Sequence, residues 1–158
     1  MNTPQAPQVD VSVVIVTYNC KRYVLECLES IFAQVGPIQI EIIVVDNASR
    51  DGATKAIREL FPKVFLIENS ENQWFRRAAN QGIRKSKGHY VIFLGPDTRL
   101  ITPDGLSKMV RYMKAHPQVG ILGVKLLDPD GKVQLDCERF IGLGWALCYY
   151  FFIHYLWP

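Results

Sequence analysis

Apolar residues in this chain come in blocks that stop abruptly at polar groups. Val11-Ser12-Val13-Val14-Ile15-Val16 is a mostly β-branched run that ends at Thr17-Tyr18-Asn19. Near-continuous β-branched runs mark strands covered on both faces. Ile42-Ile43-Val44-Val45 repeats the design and ends at Asp46-Asn47-Ala48-Ser49, and Val91-Ile92-Phe93-Leu94 ends at Gly95-Pro96-Asp97-Thr98. The pattern predicts strands over 11–16, 40–45, 64–67, 90–94 and 119–126.

Helical periodicity fills the gaps between them. Val24, Cys27, Leu28 and Ile31 recur at i, i+3, i+4, i+7, one apolar stripe of a helix over 21–34 capped by Asn19 and ended by Gly36-Pro37. A second helix, capped by Ser49 or Asp51, turns Ala53, Ala56, Ile57 and Leu60 inward and stops at Pro62. A third covers 74–85, with the poor helix formers Asn80 and Gly82 pointing to close packing or site contact. Thr102-Pro103 reads as an N-cap followed by Pro at the first helical position, opening a fourth helix with Leu106, Met109, Val110 and Met113 inward. Asp128-Pro129-Asp130-Gly131 is a turn. Alternating strands and helices predict an α/β fold, a Rossmann-like three-layer sandwich with a mainly parallel sheet.

In such a sheet the C-terminal strand ends open onto one crevice. Tyr18, Asn19, Asp46, Asn47 and Asp97 should therefore converge. Asp46 reads as a nucleotide ligand ahead of a helix cap, because strand ends are where α/β folds bind ligands. Asn47 and Ser49 read as turn and cap residues ahead of ligands. Asp97 suits Mg²⁺ or Mn²⁺, held by one or two carboxylates plus substrate phosphates; a solvated turn is its plain alternative. Arg76 and Arg77 open the third helix and could bind a diphosphate through bidentate charge and the helix dipole; a solvated basic face is the alternative.

Composition narrows the field. A chain of 158 residues with net charge +3 has room for a core and shows no basic stripe for nucleic acid. Its four cysteines form no C-x-x-C pair and read as reduced thiols. Phosphate-loop signatures of the G-x-G-x-x-G and G-x-x-x-x-G-K-[ST] types are absent. His89, His116 and His154 are scattered and read as structural or exposed. A receiver-type signalling domain would need acidic residues where Thr17-Tyr18-Asn19 stands. Residues 1–9 read as a disordered lead without a signal-peptide pattern, and 10–139 as the folded domain. The uncharged 140–157 stretch, rich in aromatics, reads as a buried helix, an interfacial membrane helix or a span, in that order. It would be a surface for a membrane or for self-association.

Four segments together, V-S-V-V-I-V-T-Y-N, I-I-V-V-D-N-A-S-x-D-G, N-Q-W-F-R-R-A-A-N-Q-G-I and G-H-Y-V-I-F-L-G-P-D-T, resemble the family 2 glycosyltransferases of the GT-A fold, closest to the rhamnosyltransferase-like branch. The resemblance runs from about Val11 to Arg139. It implies inverting transfer of a sugar from a nucleoside diphosphate to a saccharide or lipid-linked acceptor, in cell-envelope polysaccharide synthesis; the expected location is the cytoplasm, with the inner face of the cell membrane as a peripheral alternative. By motif, Thr17, Tyr18 and Asn19 would border the nucleotide, Asp46 would bind the base, and Asp97 would be the carboxylate of the divalent-cation site. Trp74 stands where the family usually has Gly, and Gly95 where it has Asn or Asp. The family's general base lies further along the chain, and no acidic residue follows Glu138. The expectation is a donor-binding half without the acceptor half. The competing expectation is a catalytically silent binding or assembly module of the same fold.

Overall fold

The computed structural model describes residues 9–134. Four strands and four helices alternate: β1 (Val11–Thr17), α1 (Lys21–Phe32), β2 (Ile40–Asp46), α2 (Ala53–Leu60), β3 (Phe65–Glu68), α3 (Trp74–Lys85), β4 (Tyr90–Leu94) and α4 (Gly105–Ala115). The sheet is wholly parallel in the order β3-β2-β1-β4. The expected α/β architecture is present.

β1 is central, and its side chains serve both faces. Val13 and Ile15 pack with Val24, Cys27, Leu28 and Ile31 of α1, Ala53 and Ile57 of α2, and Leu106 of α4. Val14 points the other way, into a smaller cluster with Ile43, Val45 and Ala78 of α3. This division follows from handedness. The chain steps outward from β1 to β2 to β3, then crosses back over the sheet to β4, and right-handed crossovers put the returning helix on the opposite face. The direction reverses between β1 and β4, where open α/β sheets form their ligand crevice. Gly82 lets α3 lie close to the sheet, since a Cβ there would stand 2.4 Å from Val14 Cγ1. Packing thus accounts for Gly82, whereas Asn80 is exposed.

Several expectations are corrected. No ladder forms over 119–126 among the described residues; an isolated antiparallel bridge, Leu127 to Val133, follows it. The described residues from Ile121 to Gln134 fall in a second compact unit, in which the expected turn closes through Gly131 N–H donating to the Asp128 carbonyl at 2.8 Å. α4 begins at Gly105, not at Pro103, because the Pro103 carbonyl accepts from Val35 N–H and the Thr102 carbonyl from Gln34 Nε2. Gln34 Oε1 in turn accepts from Leu106 N–H at 3.1 Å. Leu60 is exposed rather than inward. Among the described residues no helix is long and apolar enough to cross a membrane. The expectations for the 1–8 lead, the 140–157 stretch, Cys137 and Cys148 lie outside the described residues.

Candidate functional site

Three strand ends build one rim of the sheet. Thr17 ends β1 and pairs in register with Asp46 at the end of β2. Leu94 ends β4 level with Ile15, so Gly95-Pro96-Asp97 continues toward the height of Thr17. Parallel strands lie about 4.8 Å apart. Asp46 and Asp97 therefore follow strands on either side of β1, at the same end of the sheet.

Asp46 is 2% exposed. Its Oδ2 accepts a hydrogen bond from Ser49 N–H at 2.8 Å, within the turn that follows β2. Its Oδ1 is buried without a partner. A buried carboxylate oxygen left unpaired is costly, and such an atom in a native fold calls for an explanation. Asp46 does not cap α2, which starts at Ala53 behind Gly52.

Asn47 is buried, with its N–H donating to the Thr17 carbonyl at 2.9 Å. Its Oδ1 accepts from Asn69 Nδ2 at 3.0 Å and from Gln73 N–H at 3.3 Å. Asn69 and Gln81 exchange two further amide hydrogen bonds at 3.0 Å. This amide relay fastens the segment before α3 to the end of β2. Its members Asn69, Gln73 and Gln81 carry no sequence signal that would have singled them out.

Asn19 does not cap α1. It sits at φ +50°, its Oδ1 accepts from Arg50 N–H at 2.8 Å, and its own N–H donates to Ser49 Oγ at 2.9 Å. Asp51 takes over the capping: one oxygen accepts from Lys21 N–H at 2.7 Å and the other from Ala53 N–H at 3.0 Å, serving α1 and α2 together. Tyr18 is half exposed, and the Thr17 hydroxyl lies 3.1 Å from Cys20 Sγ.

Asp97 is exposed. A Cβ at position 95 would stand 2.7 Å from its Oδ1, so Gly95 leaves room for the carboxylate to fold back over the turn. Below it, Cys27 Sγ donates a long hydrogen bond, 3.6 Å, to the Gly95 carbonyl. Burial, then the charge of Asp97 and the neighbouring Cys20, push the Cys27 thiol up to about 12. Arg76 and Arg77 are exposed in the first turn of α3, and among the described residues neither is in an ion pair. Among the described residues no ion pair joins them to Asp46 or Asp97. Among the described residues no three His, Cys, Asp or Glu side chains gather into a metal cage.

A doubly wound parallel sheet with a buried, half-satisfied carboxylate at one strand end defines a Rossmann-like α/β domain. The chain belongs to glycosyl transferase family 2, whose profile matches residues 12–146. The fold agrees. S. aureus TarS 1-349 superposes with a TM-score of 0.63 at 24% identity, over 69% of this chain and 33% of that one. The mannosyltransferase PcManGT from Pyrobaculum calidifontis, solved with GDP-Man and Mn²⁺, superposes at 0.61 with 31% identity, over 65% of this chain and 32% of its own. The putative glycosyltransferase EpsH of Bacillus subtilis is 35% identical over 104 residues, 64% of this chain and 29% of EpsH. The match covers about a third of TarS and of PcManGT and less than a third of EpsH.

Proposed function

We propose that this chain binds a nucleoside-diphosphate sugar as the donor domain of an inverting glycosyltransferase. The observation that carries the reading is the unpaired, buried Oδ1 of Asp46. An N–H of a nucleotide base is the kind of donor it lacks. Thr17, Tyr18, Asn19 and Asn47 complete the proposed nucleotide rim. Arg76 and Arg77, exposed in the first turn of α3, are proposed for the diphosphate. PcManGT with GDP-Man and TarS with UDP support the nucleotide class. A hexose or deoxyhexose, as in the rhamnosyltransferase-like branch, is proposed for the sugar, and a saccharide or lipid-linked molecule for the acceptor.

The residues fit a divalent cation held in part by its substrate. Asp97 supplies one carboxylate, the described residues supply no three-ligand cage, and Mg²⁺ or Mn²⁺ is commonly bound by one or two carboxylates plus phosphates. Such an ion would neutralise charge on the departing diphosphate.

Calorimetric titration with UDP and GDP, with and without Mn²⁺, tests the reading. Asp46→Asn keeps an acceptor for Ser49 but removes the buried charge. Its expected effect is a nucleotide affinity reduced about 10-fold or more, as for a charged hydrogen bond, with a melting temperature at or above that of the parent. Undiminished nucleotide binding by Asp46→Asn would end the proposal.

A further inference from the structure

Trp74, the first residue of α3, stands at φ +60°. A left-handed backbone is strained for a bulky side chain and unstrained for glycine. Packing does not compensate: the side chain is 77% exposed, and Phe75 beside it is 63% exposed. The backbone is nevertheless held firmly. Trp74 N–H donates to Asn72 Oδ1 at 2.8 Å, and Gln73 N–H donates to Asn47 Oδ1. Asn47 adjoins Asp46, so the backbone that leads into Trp74 is fastened to the strand end that carries the unpaired carboxylate oxygen. The chain thus keeps a large, flat, electron-rich ring on a backbone of unfavourable conformation, where it contributes little to the core.

We propose that the Trp74 indole is a stacking platform for a pyranose ring. The C–H face of a sugar is apolar with slightly positive hydrogens, and it suits the negative face of an aromatic ring. The ring stacked is that of the donor or of the acceptor. The inference rests on the nucleotide-sugar reading above and deepens it by naming the side chain that meets the sugar.

The test compares the full chain with Trp74→Gly and Trp74→Phe. Each is titrated with GDP, GDP-Man, UDP, UDP-GlcNAc and free methyl glycosides, and each is melted. Trp74→Gly is expected to melt at or above the parent temperature, because strain is relieved. It should bind GDP and UDP as the parent does and bind a sugar-bearing ligand about 5-fold more weakly, in line with an aromatic contact. Trp74→Phe should stay within about 3-fold of the parent, since it keeps an aromatic ring. Loss confined to GDP-Man or UDP-GlcNAc assigns the donor ring, and loss confined to free glycosides assigns the acceptor. Unchanged sugar binding by Trp74→Gly overturns the inference while leaving nucleotide binding intact. A parent chain that binds neither GDP nor UDP overturns both readings. Sugar binding that is unchanged in Trp74→Gly while binding to phosphatidylglycerol-containing vesicles is lost would give the indole to a lipid surface and overturn the inference.

Discussion

Cys27 illustrates how much a single side chain's setting can carry. It lies wholly inside the α1 stripe, under the turn that bears Asp97. With its thiol pushed up to about 12, first by burial and then by the Asp97 charge, the neutral form is favoured in the folded chain. The sign of the consequence follows from linkage. Below the unfolded thiol's value near 9 both states hold the proton, and this contribution to stability is complete. As pH rises from there toward 12, the unfolded chain ionises first and the contribution is lost. Urea midpoints measured from pH 7 to 11 should fall more steeply for the parent than for Cys27→Ala. At pH 8, iodoacetamide should label the half-buried Cys20 and leave Cys27 unmodified, as read by peptide mass spectrometry. At this scale the sequence announced Asp46 as a strand-end carboxylate. That one of its oxygens takes a turn N–H and the other takes nothing depends on how Ser49 and the neighbouring strands close around it.

Helices and strands were legible where their pattern is local. The apolar stripe of α1 and the β-branched runs of β1 and β2 appear within a residue or two of their expected bounds. The failures share a physical cause. A strand over 119–126 was expected from the apolar pattern, yet a strand exists only when a neighbour supplies the ladder, and Ile121 is almost fully exposed. Thr102-Pro103 carries the local signature of a helix start, but the end of α1 takes up both carbonyls, through Val35 N–H and Gln34. Asn19 gives up the start of α1 to Asp51, which serves α2 as well, for the same reason: the loops after β1 and β2 lie side by side and bond across to each other. The α3–sheet contact offers a clean test of element packing. Gly82→Ala would drive a methyl group into Val14, and overpacking of this kind costs about 1–3 kcal/mol. Its urea midpoint should drop accordingly, and Val14→Ala introduced with it should restore part of the loss.

The molecule as a whole sets what its site can do with a metal. Without a three-ligand cage among the described residues, Mn²⁺ alone should leave the melting temperature unchanged. Mn²⁺ with UDP or GDP should raise it, because a ligand bound only to the folded state stabilises by about 2.7 kcal/mol at a hundredfold excess over its Kd. Asp97→Ala should keep the shift caused by nucleotide alone and lose the increment that Mn²⁺ adds, as differential scanning fluorimetry would show. A large shift with Mn²⁺ alone would require a cation site that Asp97 does not explain.

Sequence by itself determined the alternation of strand and helix, the parallel sheet and the strand ends that carry polar groups, because hydrophobic period and turn chemistry act over a few neighbouring residues. It also carried the family, through four short segments in a set order. Tertiary structure alone decided which oxygen of Asp46 stays unpaired, which side chains cap which helices, and that Trp74 is strained and exposed beside the β2 end. Those outcomes depend on groups about 25 to 75 residues apart meeting in space, as Asn47 meets Gln73 and Gln34 meets Leu106, and no local pattern encodes such a meeting.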